Sequence, residues 1–272
     1  MTEQEQMLIS LLNCRRVDLY TGARGGDNLT DNEKEEFSRM QARRVAGEPL
    51  QYILGRCEFM GVELFVDRRV LVPRPETEHL VEQGIHKLRD VFGDGRLEIL
   101  DLGTGSGNIA VALAKELKDC HITSVDISQD ALDVACVNAL RNNVMEKVSF
   151  IHRDMQGFLK ESARENRKFH AIISNPPYIP SAQLAQLPKD VRQEPPVALD
   201  GGKDGLKYLR QIFTLGPGVL NPGGLIFCEI GDGERPGIEE MLKNLKLNDF
   251  AFIKDYNKID RVIRIGSMVN GR

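Results

Sequence analysis

Hydrophobic positions in the first fifth of the chain recur at helical spacing. Apolar residues within 7–12 fall three and four positions apart, which predicts an amphipathic helix. Thr30 followed by Glu33 is a capping-box pattern and predicts the start of another helix. Residues 25–28, two glycines followed by an aspartate and an asparagine, are expected to separate the two helices. The pattern therefore predicts a small helical domain over residues 1–54.

The pattern then changes to alternation and to stiff, proline-containing sequence. Residues 57–66 alternate around Gly61, which predicts a small β-hairpin. Residues 71–78 contain two prolines and lead into a helix whose apolar residues again recur at helical spacing. We interpret residues 55–72 as the hairpin linker and residues 73–272 as a second domain.

Strands and helices alternate from Leu97 onward. The predicted strands are 97–102, 121–125, 148–151, 169–174, 225–230, 250–253 and 261–265, and the predicted helices between them are 109–117, 129–141, 206–215 and 238–245. Such alternation is typical of a mostly parallel sheet covered on both faces. Residues 255–260 are too few for a crossover, so the last two strands should pair antiparallel. We predict an α/β fold with a doubly wound, mostly parallel seven-stranded sheet whose last strand is antiparallel.

Composition and charge exclude several classes of protein. The chain carries 36 Lys and Arg against 40 Asp and Glu, so no direct nucleic-acid binding is expected. No apolar run approaches the roughly 20 residues that span a bilayer, and the polar, acidic N-terminus predicts a cytoplasmic protein without membrane contact. The five cysteines form no CxxC pair and the histidines no HExxH motif, so no metal site is expected.

A glycine-rich turn follows the first strand of the predicted sheet. Its sequence is Gly103-Thr104-Gly105-Ser106-Gly107, directly after Asp101 and Leu102. In a doubly wound sheet, this first strand-to-helix turn lies at the crevice where nucleotide cofactors bind. The Gly-x-Gly-x-Gly spacing differs from that of dinucleotide sites, and Asp101 would repel a pyrophosphate but tolerate ammonium and sulfonium groups. These details favour S-adenosylmethionine over NAD, while a tight turn between core elements is the alternative.

Two further acids follow the next two strands. Asp126 ends the second strand, where a carboxylate accepts both hydroxyls of a ribose. Asp154 follows the third strand and is a candidate acceptor for an adenine amine, with Met155 packing on the ring. The alternative for Asp154 is a solvated loop acid or a helix N-cap.

The segment Asn175-Pro176-Pro177-Tyr178 follows the fourth strand. Prolines donate no backbone hydrogen bond, so carbonyls near them are free to accept. An asparagine oxygen beside such carbonyls makes a pocket for an NH2 group, and Tyr178 offers a flat face for stacking. The segment therefore predicts a site for a planar, amine-bearing group, either a side-chain amide or a nucleobase. A proline-rich turn without a binding role is the alternative.

Together these features resemble the class I (Rossmann-like) S-adenosylmethionine-dependent methyltransferases, and more specifically the PrmC/HemK family of protein-glutamine methyltransferases. Residues 44–55, 72–78 and 194–206 look like signatures of that family. Two departures are expected to affect function: the N-terminal helical domain looks one helix shorter than is usual in the family, and no aromatic residue follows Asp154.

The resemblance implies methyl transfer to the glutamine of the Gly-Gly-Gln motif in class I peptide chain release factors, with docking on the helical domain. It implies that Asn175 and Pro176 accept the two N–H bonds of the substrate amide, that Tyr178 stacks on it and that Pro177 stiffens the loop. Asn175 would thereby also lie against the cofactor. A monomer is expected.

Two charged residues before the catalytic domain are candidates for the interdomain cleft. Arg74 and Glu76 either line the cleft and contact substrate or form a salt-bridged joint between domains. Other basic residues are interpreted as solvated surface: Lys207, Arg210, Arg261 and Arg264.

Three other functions compete with this interpretation. A nucleic-acid methyltransferase acting on an exocyclic adenine amine would use the same pocket after base flipping. A non-catalytic protein that only binds S-adenosylmethionine would keep the same motifs. A dehydrogenase is disfavoured by the spacing of the glycine loop.

Overall fold

The computed structural model of the chain describes residues 1–21, 29–93 and 95–266. The break predicted at residues 25–28 lies outside this part. The N-terminal helices are α1 (Glu3–Leu12), α2 (Arg16–Tyr20), α3 (Asp31–Val45) and α4 (Leu50–Leu54). Thr30 and Glu33 form the predicted capping box at the start of α3. Helices α1, α3 and α4 share a small core of Met7, Met40, Leu50 and Ile53.

A β-hairpin follows the helices, as its alternating sequence predicts. Strands β1 (Arg56–Phe59) and β2 (Val62–Phe65) pair antiparallel. Asn138 fastens the hairpin to the rest of the chain, because its Oδ1 accepts from the Phe65 N–H at 2.7 Å and its Nδ2 donates to the Phe65 carbonyl at 2.9 Å. The domain limits at residues 54 and 72 stay a prediction.

The remaining elements build a seven-stranded sheet with helices on both faces, which confirms the predicted fold class. The strands are β3 (Leu97–Leu102), β4 (Cys120–Asp126), β5 (Val148–His152), β6 (Phe169–Ser174), β7 (Leu220–Glu229), β8 (Phe250–Lys254) and β9 (Asp260–Gly266). The helices are α5 (Pro75–Phe92), α6 (Asn108–Glu116), α7 (Gln129–Arg141), α8 (Met155–Arg164), α9 (Lys207–Leu215) and α10 (Arg235–Asn244). The strand order is β5-β4-β3-β6-β7-β9-β8, and β9 runs antiparallel to both neighbours.

The two faces of the sheet pack against different helices. Ile99 and Ile173 belong to the core formed with α5 and α6, whereas their sequence neighbours Leu100 and Ile172 belong to the core formed with α8, α9 and α10. Successive side chains of a strand point to opposite faces, so strands buried on both faces consist of continuous apolar runs. Because both faces are buried, the carboxyl ends of the neighbouring strands β4, β3 and β6 lie side by side at one edge of the sheet.

The structure differs from the sequence predictions in several places, including one helix, one strand boundary and the burial of basic residues. Helix α8 was not predicted, because Gly157 lowers helix propensity and only Phe158, Leu159 and Ser162 are buried along it. Strand β7 begins at Leu220 rather than at residue 225.

The third difference concerns basic residues interpreted as solvated surface. The Arg261 side chain is only 13% exposed and pairs with Asp255, and the Arg264 side chain is 20% exposed and pairs with Asp249. Lys207 is exposed but lines the cavity described below.

None of the helices in the described residues is long and apolar enough to cross a membrane.

Candidate active site

A cavity of about 220 Å³ opens at the carboxyl ends of the parallel strands. In open α/β sheets this edge is where ligands bind. The cavity is lined by most of the residues that the sequence singles out, including Gly103, Thr104, Gly105, Ser106, Asp126, Asp154, Met155, Asn175, Pro177 and Arg74. Asp101, Gly107, Pro176, Tyr178 and Glu76 lie outside its lining. Folding thus brings Arg74 and Asn175, which are 101 residues apart in the sequence (175 − 74), to one site.

The glycine loop is shaped by backbone hydrogen bonds and by one close approach. The Gly103 N–H donates to the Val125 carbonyl at 2.8 Å, which ties the loop to β4. Gly107 has φ +79°, and a Cβ there would lie 2.9 Å from the Cβ of Ala135 in α7. Only glycine satisfies both conditions. The loop therefore packs closely against α7 at the point where it enters α6.

Asp101 is buried behind the glycine loop with one oxygen unsatisfied. Its Oδ2 accepts from Thr104 Oγ1 at 2.5 Å and from Ser124 Oγ at 3.2 Å. Its Oδ1 is buried and finds no hydrogen-bond partner among the described residues. Burial raises the pKa of Asp101 to about 7. An unsatisfied buried acceptor of this kind favours a cationic ligand group nearby.

Asp126 ends β4 with both carboxylate oxygens aimed by backbone donors. Oδ2 accepts from the Gly105 N–H at 2.9 Å and Oδ1 from the Ser128 N–H at 2.9 Å. Burial raises its pKa. Each oxygen keeps a second lone pair, so the carboxylate can still accept from ligand hydroxyls. Ile127, the next residue, also lines the cavity, although the residue is 56% exposed. Sequence reasoning missed Ile127.

Asp154 caps the unpredicted helix α8. Its Oδ1 accepts from the Gly157 N–H at 2.8 Å, which is the N-cap alternative considered from the sequence. Asp154 and Met155 both line the cavity, so the capping role does not remove them from a ligand's reach. Their adenine-binding role stays a prediction.

Asn175 directly follows β6, and its side-chain amide is hydrogen-bonded to a buried residue. Its Nδ2 donates to Thr77 Oγ1 at 2.9 Å, and Thr77 in turn donates to Glu229 Oε2 at 2.6 Å. Thr77 is fully buried, and Glu229 at the end of β7 is 1% exposed. Sequence reasoning missed both, although a glutamate inside the apolar run of residues 225–230 was a usable signal.

The remainder of the Asn-Pro-Pro-Tyr segment packs against the neighbouring loop. Among the described residues, no donor reaches the Pro176 carbonyl, and the acceptor role of Pro176 stays a prediction. The Tyr178 hydroxyl donates to Glu229 Oε1 at 3.4 Å, and burial raises the pKa of Tyr178. A Cβ on Gly201 would lie 2.7 Å from the Tyr178 backbone, so this loop approaches as closely as a glycine allows. The stacking role of Tyr178 stays a prediction.

Arg74 lines the cavity and pairs with a buried glutamate, whereas its roles at the interdomain cleft stay predictions. Its Nη2 lies 2.8 and 2.9 Å from the two oxygens of Glu194, and its side chain also lines the cavity. Glu194 is 2% exposed, and burial raises its pKa to about 7 against the opposing effect of Arg74. The pair joins the segment before α5 to the connection between β6 and α9. Glu76, in the first turn of α5, is partly buried.

The fold and the cavity define a class I S-adenosylmethionine-dependent methyltransferase: a seven-stranded sheet ending in an antiparallel strand, with a glycine loop and buried acids at the ends of β3 and β4. Residues 81–190 match the family model "Methyltransferase small domain", and residues 2–55 match the model "PrmC N-terminal domain". A similar fold occurs in a SAM-dependent methyltransferase from Agrobacterium tumefaciens, with a TM-score of 0.56 and 15% identity over 78% of this chain and 69% of that one.

Curated relatives identify the family within this class. The release factor glutamine methyltransferase of Geobacter sulfurreducens is 39% identical over 97% of this chain and 89% of its own length. That of Dictyoglomus turgidum is 38% identical over 97% of this chain and 90% of its own length. The chain belongs to the release factor glutamine methyltransferase family, and its cofactor is S-adenosylmethionine. The unsatisfied buried oxygen of Asp101, behind the glycine loop, and the Asp126 carboxylate at the cavity are acceptors of the kind that the ammonium and the ribose of that cofactor need, and their individual roles stay predictions.

Proposed function

We propose that this protein methylates the side-chain amide nitrogen of the glutamine in the Gly-Gly-Gln motif of class I peptide chain release factors. The observation that carries the proposal is the Asn175 amide. Its Nδ2 is committed to Thr77, which leaves Oδ1 to accept from a ligand in the cavity that Asn175 lines. Together with the carbonyl of the next residue, Pro176, Oδ1 would match the two N–H bonds of a primary amide. The names of the relatives support the same substrate.

Each of the proposed cofactor-binding residues contacts a different part of the cofactor. S-adenosylmethionine supplies an electrophilic methyl group on a sulfonium. Asp101 attracts the ammonium, and Asp126 accepts from the ribose hydroxyls. Ile127 and Met155 pack on the two faces of the adenine, and Asp154 accepts from its amine through the oxygen that does not cap α8. The glycine loop presents backbone to the ligand without a side chain between them.

The substrate residues act by positioning. An amide nitrogen is a weak nucleophile because its lone pair is delocalised into the carbonyl. Asn175 Oδ1 and the Pro176 carbonyl fix the plane of the amide, Tyr178 stacks on it and Pro177 stiffens the loop. So held, the nitrogen would face the methyl group that the bound cofactor supplies, and the amide proton would leave to water after the transfer. Positioning of this kind supplies roughly 7–11 kcal/mol.

The helical segment of residues 1–54 is proposed to dock the release factor, with Arg74 and Glu76 at the cleft between the two domains. The Arg74–Glu194 pair would then brace the cleft on the side where substrate enters. We further propose that the protein acts as a monomer in the cytoplasm, where release factors work, without direct contact to nucleic acid or membrane.

The test is mass spectrometry of a purified class I release factor incubated with this protein and S-adenosylmethionine. The expected result is a gain of one methyl group on the glutamine of Gly-Gly-Gln, and none on a release factor in which that glutamine is replaced by alanine. A methylated adenine in oligonucleotides with no change in the release factor would instead support the nucleic-acid alternative. Cofactor binding without transfer to either would support the non-catalytic alternative.

A further inference from the structure

A chain of hydrogen bonds starts at Asn175 and continues through Thr77, which also lines the cavity, to Glu229. Asn175 Nδ2 donates to Thr77 Oγ1 at 2.9 Å, and Thr77 Oγ1 donates to Glu229 Oε2 at 2.6 Å. Thr77 belongs to α5 and Glu229 to β7, so the three residues come from different elements. Both distal residues are buried, with exposures of 0% and 1%. The Thr77 hydroxyl and the Glu229 carboxylate are therefore almost inaccessible to bulk solvent.

Hydrogen-bond direction in this chain follows from the number of protons. A threonine hydroxyl has one proton, and an ionised carboxylate only accepts. Thr77 must therefore give its proton to Glu229 and offer a lone pair to Asn175. A lone pair is met by the NH2 end of an amide, so Oδ1 is turned to the opposite side, toward the cavity. The O and NH2 ends of an asparagine are almost equal in shape, so packing alone would not choose between them.

We propose that Thr77 and Glu229 are positioning residues that set the polarity of the Asn175 amide, so that it meets the substrate as an acceptor. The inference rests on the proposed function and deepens it. A protonated Glu229 would donate to Thr77, and Thr77 would then donate to Asn175 Oδ1. The amide would turn its NH2 group toward the substrate, where two sets of donors would repel each other. Productive binding therefore requires ionised Glu229.

The groups around Glu229 place its change from the protonated to the ionised form near neutral pH. Tyr178 faces it from the loop after β6, Arg261 from β9 and Glu76 from α5. Burial raises the pKa of Glu229 to about 7, while the hydrogen bond from Thr77 and the charge of Arg261 oppose the rise. The ionised fraction therefore increases through pH 7, and we expect kcat to rise with it.

The experiment measures kcat, KM for the release factor and the affinity for S-adenosylmethionine between pH 6 and 9, at saturating cofactor. Thr77→Val keeps the shape and removes the hydroxyl, and it is expected to lower kcat about 10-fold or more and to abolish the rise through pH 7. The affinity for cofactor should stay within about 2-fold. Thr77→Ser restores the hydroxyl and should restore both kcat and the rise. Thr123→Val, a buried threonine of β4, is the matched control and should behave as wild type.

Glu229→Gln provides an independent test of the inference. The glutamine keeps the shape of the side chain but cannot ionise, so the rise in kcat through pH 7 should disappear. A wild-type kcat that is flat from pH 6 to 9 would overturn the inference. So would a rise that persists in Glu229→Gln, or a Thr77→Val variant, folded by circular dichroism, with wild-type kcat. A wild-type protein that transfers no methyl group to the release factor would overturn the proposed function instead, so the two failures are distinguishable.

Discussion

The cavity has a cofactor end, formed by residues 101–107, 126 and 154–155, and a substrate end, formed by residues 175–178 with Thr77 and Glu229. The contacts that hold the two ends differ in how far apart the bonded residues lie in the sequence. At the cofactor end, Thr104 bonds Asp101 three residues away, and Gly105 bonds Asp126 across 21 residues. At the substrate end, Asn175 and Thr77 are 98 residues apart. The first end is built by neighbouring strand-to-helix turns that bond to one another, whereas the second depends on three elements packing together.

The difference has a consequence for mutations. A turn held by its own backbone and by near neighbours positions ligand groups even when distant packing is disturbed, so damage there should appear as lost cofactor affinity. Side chains held by distant partners should instead lose orientation, which affects the chemical step more than binding.

The largest expected effect is at the substrate end. Asn175→Ala removes the acceptor for the substrate amide, so kcat should fall by about 100-fold or more while the affinity for S-adenosylmethionine changes by less than about 3-fold. Single-turnover kinetics and calorimetry measure the two quantities. A loss of cofactor affinity as large as the loss of kcat would contradict the separation of the two ends.

The next effect is at the cofactor end. Gly107→Ala places a side chain at φ +79° and 2.9 Å from Ala135, so the free energy of unfolding should fall by about 1–3 kcal/mol and cofactor affinity by about 10-fold. Gly218→Ala is the control, because nothing lies within 4 Å of its Cβ position and its φ is not positive. Denaturant titration and calorimetry measure the changes, and equal effects of the two substitutions would contradict the role given to Gly107.

A third effect tests the long-range pair of Arg74, which lines the cavity, and Glu194. Arg74→Ala leaves Glu194 buried without its cation, which should lower the free energy of unfolding by about 2 kcal/mol at pH 8. The pKa of Glu194 is already raised to about 7, so at pH 6 it takes up a proton and the loss should be smaller. Denaturant titration at both pH values measures this, with Arg74→Ala/Glu194→Gln expected to be less destabilised at pH 8. A loss that grows as pH falls would contradict it.

The smallest effect is a proton released on cofactor binding. Burial raises the pKa of Asp101 to about 7, so part of the unliganded protein carries a proton there at pH 7. A cationic ligand lowers that pKa, and binding should release about half a proton. Calorimetry in two buffers of different ionisation enthalpy measures the release, which Asp101→Asn should remove. Proton uptake in the wild type would contradict the assignment of the ammonium to Asp101.

How far sequence reasoning reaches depends on how local each signal is. The capping box at Thr30 and the hairpin around Gly61 were predicted because their residues act on neighbours. Helix α8 was missed although Asp154 was considered as an N-cap, because its apolar face is short and contains Gly157. Arg261 was misplaced because the sequence does not reveal Asp255 as its buried partner.

The sequence by itself determined the alternating strands and helices, the glycine loop, the acids at strand ends and the Asn-Pro-Pro-Tyr segment. Periodicity and turn chemistry act over a few residues, and parallel strands bring their carboxyl ends to one edge wherever such a pattern folds. Only the tertiary structure decided that Thr77 and Glu229, 152 residues apart, meet behind Asn175, and that Arg74 meets Glu194 across 120 residues. Those contacts depend on how whole helices and strands pack, and no local spacing encodes them.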